Sequence, residues 1–295
     1  MIAGPETVQP VLLETPLGKV EAACYGEGPA VLCLHGAMGG YDQGLLLARA
    51  AAGCSGYRFV AISRPGYLGT PAASGLSPER QADLCAAALD ALSEPDAAVI
   101  AISGGGQCAL QFALRHPDRC RALVMISACS APIPGKVPFR FHLLRLAARI
   151  PALARAMQRK AAAHPDEAAS RSIPDPVLRE RTLHDPEVAP LLLALQAGVM
   201  ERMAARLPGT YNDIRQSRAP FDYPLERIAA PLLVIHGTDD EAAPFAAGRW
   251  LAARVPGAGF LAIEGGRHVS LFTHNRQIRE RVRRILRETA APGRP

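Results

Sequence analysis

Ala98-Val99-Ile100-Ala101-Ile102-Ser103-Gly104-Gly105-Gly106-Gln107-Cys108-Ala109-Leu110 is the most informative stretch of the chain. An apolar run passes through a serine and three glycines and continues into residues that suit a helix. A buried strand that turns directly into a helix in this way is a nucleophile elbow. The serine occupies a strained backbone conformation, and side chains two positions to either side would collide as strand and helix close on each other. Ala101 and Gly105 are both small, as that closure requires. The competing interpretation is a phosphate-binding turn, because glycine-rich loops that open helices also cradle phosphate. Neither Gly-x-Gly-x-x-Gly nor a following Gly-Lys-Ser/Thr is present, and this is not the first strand-to-helix turn, where a dinucleotide fingerprint belongs.

Working outward, Val11-Leu12-Leu13 and Val20-Glu21-Ala22-Ala23 flank the turn residues Pro16 and Gly18 and predict a hairpin. The runs Ala30 to Leu34, Phe59 to Ile62, Ala97 to Ile102, Ala122 to Ile126, Leu232 to Ile235 and Phe260 to Ile263 are nearly continuous in apolar residues. Strands buried on both faces look like this. Between them lie helical patterns. Ser77-Pro78-Glu79 offers a cap, a first-turn proline and an early acid before Leu84, Ala88, Ala91 and Leu92, and Ile278, Val282, Ile285 and Leu286 form one stripe near the end. The alternation predicts an α/β fold with a mostly parallel central sheet and helices on both faces.

That alternation stops between Ala131 and Leu225, where prolines punctuate short helical stretches such as Phe141 to Ile150 and Val188 to Leu207. A helical cap inserted after the sixth strand is expected, with residues 131–225 as cap and residues 1–130 and 226–295 as core. The alternative is an independent second domain. It is disfavoured because sheet-like runs resume at Pro231 and are needed to finish the first domain. A length of 295 residues permits a core with an insertion, since single cores stop growing at about 250–300 residues.

Composition narrows the function classes. The formal net charge is +6, but Arg is scattered, with only modest enrichment between Arg140 and Arg181 and in the last helix, so no nucleic-acid partner is expected. Seven cysteines form an odd set without a CxxC pair, which suits small buried hydrophobes in a reducing compartment rather than a disulfide frame or zinc site. The segment from Met1 to Glu6 carries no basic stretch followed by an apolar one, and no apolar run of about 18 residues occurs. A soluble cytoplasmic protein without a membrane span is the expectation; the oligomeric state is not readable from these features.

A serine hydroxyl is weakly nucleophilic until a positioned base takes its proton, and that base is held in tautomer and orientation by a carboxylate. After an elbow of this type the chain order is serine, acid, histidine. Two later segments fit: Leu232-Leu233-Val234-Ile235-His236-Gly237-Thr238-Asp239-Asp240-Glu241-Ala242-Ala243-Pro244, and Ile263-Glu264-Gly265-Gly266-Arg267-His268-Val269-Ser270. His268 is the candidate base; His274 is set aside because it would lie within the last helix.

Four signatures in this order, His35-Gly36, the elbow at Ser103, Gly237-Thr238-Asp239-Asp240 with Pro244, and Gly265-Gly266-Arg267-His268, give the chain a resemblance to the lidded serine hydrolases of the α/β-hydrolase superfamily, over all of it except the cap. Ala101 stands where that pattern usually has glycine. The resemblance places the acid three residues after the glycine, at Asp240, with Asp239 and Glu241 as competitors. It assigns oxyanion binding to the backbone amides of Gly104 and Ala37, with Met38 as the fallback for Ala37. His35 and His236 are expected to be structural, and Arg64 and Tyr67 to be structural or to brace the elbow. Asp42 is expected to cap a helix, or else to line the pocket.

The resemblance implies hydrolysis of a carboxylic ester of a small organic substrate through an acyl-enzyme, with Ser103, His268 and Asp240 catalytic and no metal or organic cofactor. It leaves open a carbon–carbon bond hydrolase of diketone-like acids and a non-catalytic ligand receptor on the same fold.

Overall fold

The computed structural model describes residues 8–290 except 149, 151, 154, 158 and 160–164. All eight expected strands are present: β1 (Val11–Thr15), β2 (Gly18–Tyr25), β3 (Ala30–Leu34), β4 (Arg58–Ile62), β5 (Ala97–Ile102), β6 (Cys120–Ile126), β7 (Leu232–Gly237) and β8 (Gly259–Ile263). They form one sheet in the order β1-β2-β4-β3-β5-β6-β7-β8. The hairpin strands β1 and β2 pair antiparallel, β2 pairs antiparallel with β4, and every remaining pair is parallel.

The continuous apolar runs are explained by burial on both faces. Leu32, Leu34, Val60, Ile62, Val99 and Ala101 point into one apolar cluster, with Leu84, Leu89, Leu110 and Phe112 from helices α2 (Pro78–Ala91) and α3 (Gly106–Arg115). Their neighbours Val31, Cys33, Phe59, Ala61, Ile100 and Ile102 point into the other, with α1 (Tyr41–Ala52) and the stripe Ile278, Val282 and Leu286 of the terminal helix. Alternate residues of one strand therefore serve two cores. The cap at Ser77 forms as its sequence suggests, its Oγ accepting from Arg80 N–H at 3.3 Å.

Among the described residues the elements between β6 and β7 are helices joined by loops, including α4 (Phe139–Ala147), α5 (Pro165–Ser172), α6 (Pro176–His184), α7 (Ala189–Met200) and α8 (Met203–Gln216). Val188 to Leu207, expected as one run, is divided between α7 and α8. Arg202 takes a left-handed φ of 51° at the junction, and the chain changes direction there. Ile173, Val188, Leu191 and Leu192 join the same apolar cluster as α1, so the insertion packs onto the core.

Helix α8 is stitched to the core by its own backbone. Pro208 cannot donate to the helix ladder, and beside it Gly209 N–H donates to Gly66 O at 2.8 Å while Ala205 O accepts from Leu68 N–H at 2.8 Å. Gly209 has to be glycine, because a Cβ there would lie 2.2 Å from the Tyr67 ring. Beyond β7 lie α9 (Phe245–Arg254), the four-residue helical turn Ser270–Thr273 and the terminal helix α10 (Asn275–Ala290). Of the seven free cysteines, Cys54 departs from the expected burial and is exposed just beyond α1.

Candidate active site

The strand order reverses between β3 and β5: the chain moves from β3 to one neighbour, β4, then crosses to begin β5 on the other side. In an open α/β sheet the crevice at the carboxyl ends of such strands receives ligands. The loop 35–40 follows β3 and Ser103 follows β5, so both lie at this point.

Ser103 has a φ of 52°, in the left-handed region, as expected of an elbow. Closure is as tight as predicted: a Cβ on Gly105 would lie 2.8 Å from Leu34 O and 2.9 Å from His35 O. Ala101, in the position where glycine is usual, is fully buried in β5 between Leu34 and Met125, so its methyl is accommodated.

The structure brings together the three residues expected to cooperate. His268 Nε2 accepts from Ser103 Oγ at 3.0 Å, and its Nδ1–H faces Asp240 Oδ2 at 2.9 Å and Oδ1 at 3.0 Å. The Asp240 side chain is fully buried, whereas one third of His268 is exposed, so the chain of hydrogen bonds leads from the interior to a reachable hydroxyl. Asp240 Oδ1 also accepts from the amides of Ala242 and Ala243, each at 3.0 Å. Burial by itself would raise this carboxyl, but the hydrogen bond and charge of His268 and the Ala243 amide outweigh it and hold the pKa below the ordinary aspartate value. The competitors point elsewhere: Asp239 is exposed and accepts from Thr238 Oγ1, and Glu241 pairs with Arg267 at the surface. His274 sits at the joint between a short turn and α10 rather than inside the helix, bonded to Thr273.

The amide of Met38 donates to Thr210 Oγ1 of α8 at 2.8 Å and is thereby occupied. Ala37 N lies 3.4 Å from the point where a Cβ on Gly104 would stand, which sets these two backbones side by side next to Ser103.

The family model described as alpha/beta hydrolase fold matches residues 29–275. The chain belongs to the α/β-hydrolase family. It is similar to a 2-hydroxymuconate semialdehyde hydrolase of Pseudomonas putida, 25% identical over 270 residues and covering 90% of each chain. To a pimeloyl-(acyl-carrier protein) methyl ester esterase of Chromobacterium violaceum it is 26% identical over 251 residues, covering 84% of this chain and 91% of that one. A solved alpha/beta hydrolase fold protein from Nakamurella multipartita shares 32% identity with a TM-score of 0.82, covering 95% of this chain and 99% of that chain.

Two further histidines of this α/β hydrolase, His35 and His236, are pushed toward the neutral form by their surroundings. His35 Nδ1–H donates to Gly36 O at 2.7 Å and its Nε2 accepts from Arg64 N–H at 3.1 Å; burial, with the Arg64 charge beside it, pushes its pKa well below the ordinary value. His236 donates to Ala243 O at 2.8 Å, and burial lowers its pKa too. It thus steadies the loop that presents Asp240.

Two ion pairs tie α8 to the core beneath the site, Arg64–Asp213 buried on both sides and Arg206–Asp42 with its carboxylate half-buried, and neither α8 partner stands out in the sequence. Asp213 receives Arg64 through two hydrogen bonds of 2.8 and 2.5 Å and also accepts from Tyr67 Oη–H at 2.6 Å. Arg64 further donates to His35 O and Gln81 Oε1, so it braces the elbow by linking loop, helix and insertion. Arg206 pairs with Asp42 at 2.5 Å and donates to Gly39 O at 2.9 Å. Asp42 is therefore not the helix cap it was expected to be. The cap position is Gly40, and Asp42 lies one residue into α1, where its Oδ1 accepts from the first-turn amide of Gln43 at 2.8 Å while the carboxylate faces Arg206. A small cavity of about 10 Å³, bordered by Arg64, Gly104, Gln107, Cys129 and Asp213, lies behind the elbow, room for about one water.

Proposed function

We propose that this hydrolase cleaves a carboxylic ester of a small apolar substrate through an acyl-enzyme, with Ser103, His268 and Asp240 as its catalytic residues. The observation that carries the proposal is the hydrogen-bonded series from Ser103 through His268 to the buried Asp240, at 3.0 and 2.9 Å. His268 Nε2 takes the hydroxyl proton as Ser103 Oγ attacks the ester carbonyl carbon. Negative charge developing on the carbonyl oxygen is held by the amides of Gly104 and Ala37, the latter preferred over Met38 because Thr210 occupies the Met38 amide. Collapse breaks the ester bond, and His268 returns the proton to the departing alkoxide. A water then gives its proton to His268 and attacks the acyl-serine, releasing the acid and restoring Ser103. Asp240 holds Nδ1–H throughout and stabilises the imidazolium. No step needs a metal or organic cofactor.

Residues 131–225 serve in this proposal as the lid, over a core of residues 1–130 and 226–295. Beside the site loop the insertion is apolar: Met38 packs with Leu144, Met157, Met200, Met203 and Leu207. Both arginines buried beneath the site are already neutralised, by Asp213 and Asp42, which supports a neutral ester over a diketone-like acid whose carboxylate needs a cation. Carbon–carbon bond hydrolysis, the second reading, is favoured by the name of the Pseudomonas putida relative. Assaying the purified protein on short acyl esters beside a diketone acid separates the two. Ester turnover that falls about a million-fold in Ser103→Ala is expected; turnover of the diketone acid alone would overturn the ester proposal.

A further inference from the structure

Helix α4 has two apolar faces. Leu144, with Ala148 just past the helix end, packs inward toward Met38 of the site loop. On the other side Phe139 is 72% exposed, Leu143 52% and Leu146 60%, and Ile150 and Leu153 continue the exposed apolar series beyond the helix end. The spacing 139, 143, 146, 150, 153 alternates four and three residues, so the exposed residues of α4 share one face. An exposed apolar series of this length marks a surface that something covers.

The charge of this stretch of sequence has one sign. Residues 136–160 contain Lys136, Arg140, Arg145, Arg149, Arg155, Arg159 and Lys160 and no Asp or Glu; the nearest acids in the sequence are Asp118 and Asp166. Lys136, Arg155 and Arg159 are exposed. A second copy of this chain would bring the same positive charge against itself in a two-fold interface, where each patch meets its own image. An anionic lipid surface complements both features: apolar side chains enter the boundary between headgroups and acyl chains, and the cations lie along the headgroups.

We propose that the outer face of α4 and the segment to Arg159 dock the protein on the surface of an anionic bilayer, lying on it rather than crossing it. Docking stands apart from the ester-hydrolase proposal. Its consequence for substrate, that apolar esters are taken from the lipid phase next to the Met38 cluster, rests on that proposal.

The test is co-sedimentation of the full chain with vesicles of phosphatidylcholine alone or mixed with phosphatidylglycerol. The protein is expected to pellet with the mixed vesicles, not with the neutral ones, and to be released by salt. Lys136→Glu with Arg155→Glu and Arg159→Glu should lower partitioning by more than about tenfold, each cation at an anionic surface contributing about fivefold. Leu143→Gln with Leu146→Gln should weaken it as well. Both variants should hydrolyse a short soluble ester as the parent does. Reversing three exposed arginines of α10, Arg276→Glu, Arg281→Glu and Arg287→Glu, makes the same change in net charge and should leave binding intact.

Failure to bind mixed vesicles would overturn the proposal, including the case in which an acidic protein takes this face instead. Equal loss from the two charge-reversal sets would overturn it too, by reducing the effect to overall charge. So would a dimer that Leu143→Gln and Leu146→Gln dissociate. Because binding is read without turnover, loss of docking and loss of ester hydrolysis are distinguishable.

Discussion

Replacing Asp213 by asparagine probes the joint between insertion and elbow. The Arg64 and Asp213 side chains are 1% and 6% exposed, and Asp213 is the carboxylate facing the Arg64 guanidinium at 2.8 and 2.5 Å. Asparagine keeps the volume but leaves Arg64 a buried charge without a counter-ion, facing the neutral oxygens of His35, Gln81 and the new amide and the ring of Tyr67. Removing one partner of such a pair costs about 3–5 kcal/mol. At about 2–4 °C per kcal/mol for a domain of this size, the melting temperature should fall by about 6 to 20 °C. The combination Arg64→Met, Tyr67→Phe and Asp213→Leu removes charge and hydroxyl together and should recover more than half of that loss, because replacing a buried pair whole is often near neutral. Thermal unfolding followed by circular dichroism reads both. A melting temperature for Asp213→Asn within about 2 °C of the parent would refute the account of how α8 is held.

Three further outcomes are expected. Asp240→Asn should lower ester turnover about ten-thousand-fold while Asp239→Asn changes it less than about threefold; steady-state kinetics decide, and the reverse order would move the acid to Asp239. Stability should decline as pH falls below about 6.5. The lowered folded pKa values of His35 and His236 mean that the unfolded chain binds more protons there, so their contribution is full above the unfolded value and is lost on acidification at about 1.4 kcal/mol per pH unit for each group. The depressed carboxyl of Asp240 adds its loss only at still lower pH, as its folded pKa is crossed; melting temperature against pH checks the window. Gly105→Ala should cost about 1–3 kcal/mol, since its Cβ would meet two backbone oxygens that cannot move aside, and urea unfolding measures it.

The sheet was legible because five of its strands, β3 to β7, are buried on both faces and show unbroken apolar runs, a signal that needs no tertiary information; β8, expected to be buried likewise, is an edge strand and only half-buried. Ser103 was legible for a related reason, since only small residues can follow a strand that turns straight into a helix. Choosing between Asp239 and Asp240 needed more than local pattern: the turn after β7, closed by Asp240 N–H to Gly237 O at 3.3 Å, sends one carboxylate inward and its neighbour to solvent. Least legible was α8. Arg206, Thr210 and Asp213 lie on one helical stripe, and polar residues at that spacing usually mark a solvated face. Here the stripe is buried against Asp42, Met38 and Arg64, partners 149 to 172 residues distant in the chain. Gly209 between them was the available clue, because a glycine inside a helix often marks close backbone approach.

The central claim is that Ser103 is the activated nucleophile. Reacting the purified protein with a fluorophosphonate and locating the adduct by peptide mass spectrometry tests it most directly. One adduct on Ser103 is expected, absent from Ser103→Ala and formed far more slowly in a variant lacking the His268 imidazole. An adduct on another residue, or a labelling rate unchanged without His268, would contradict the claim.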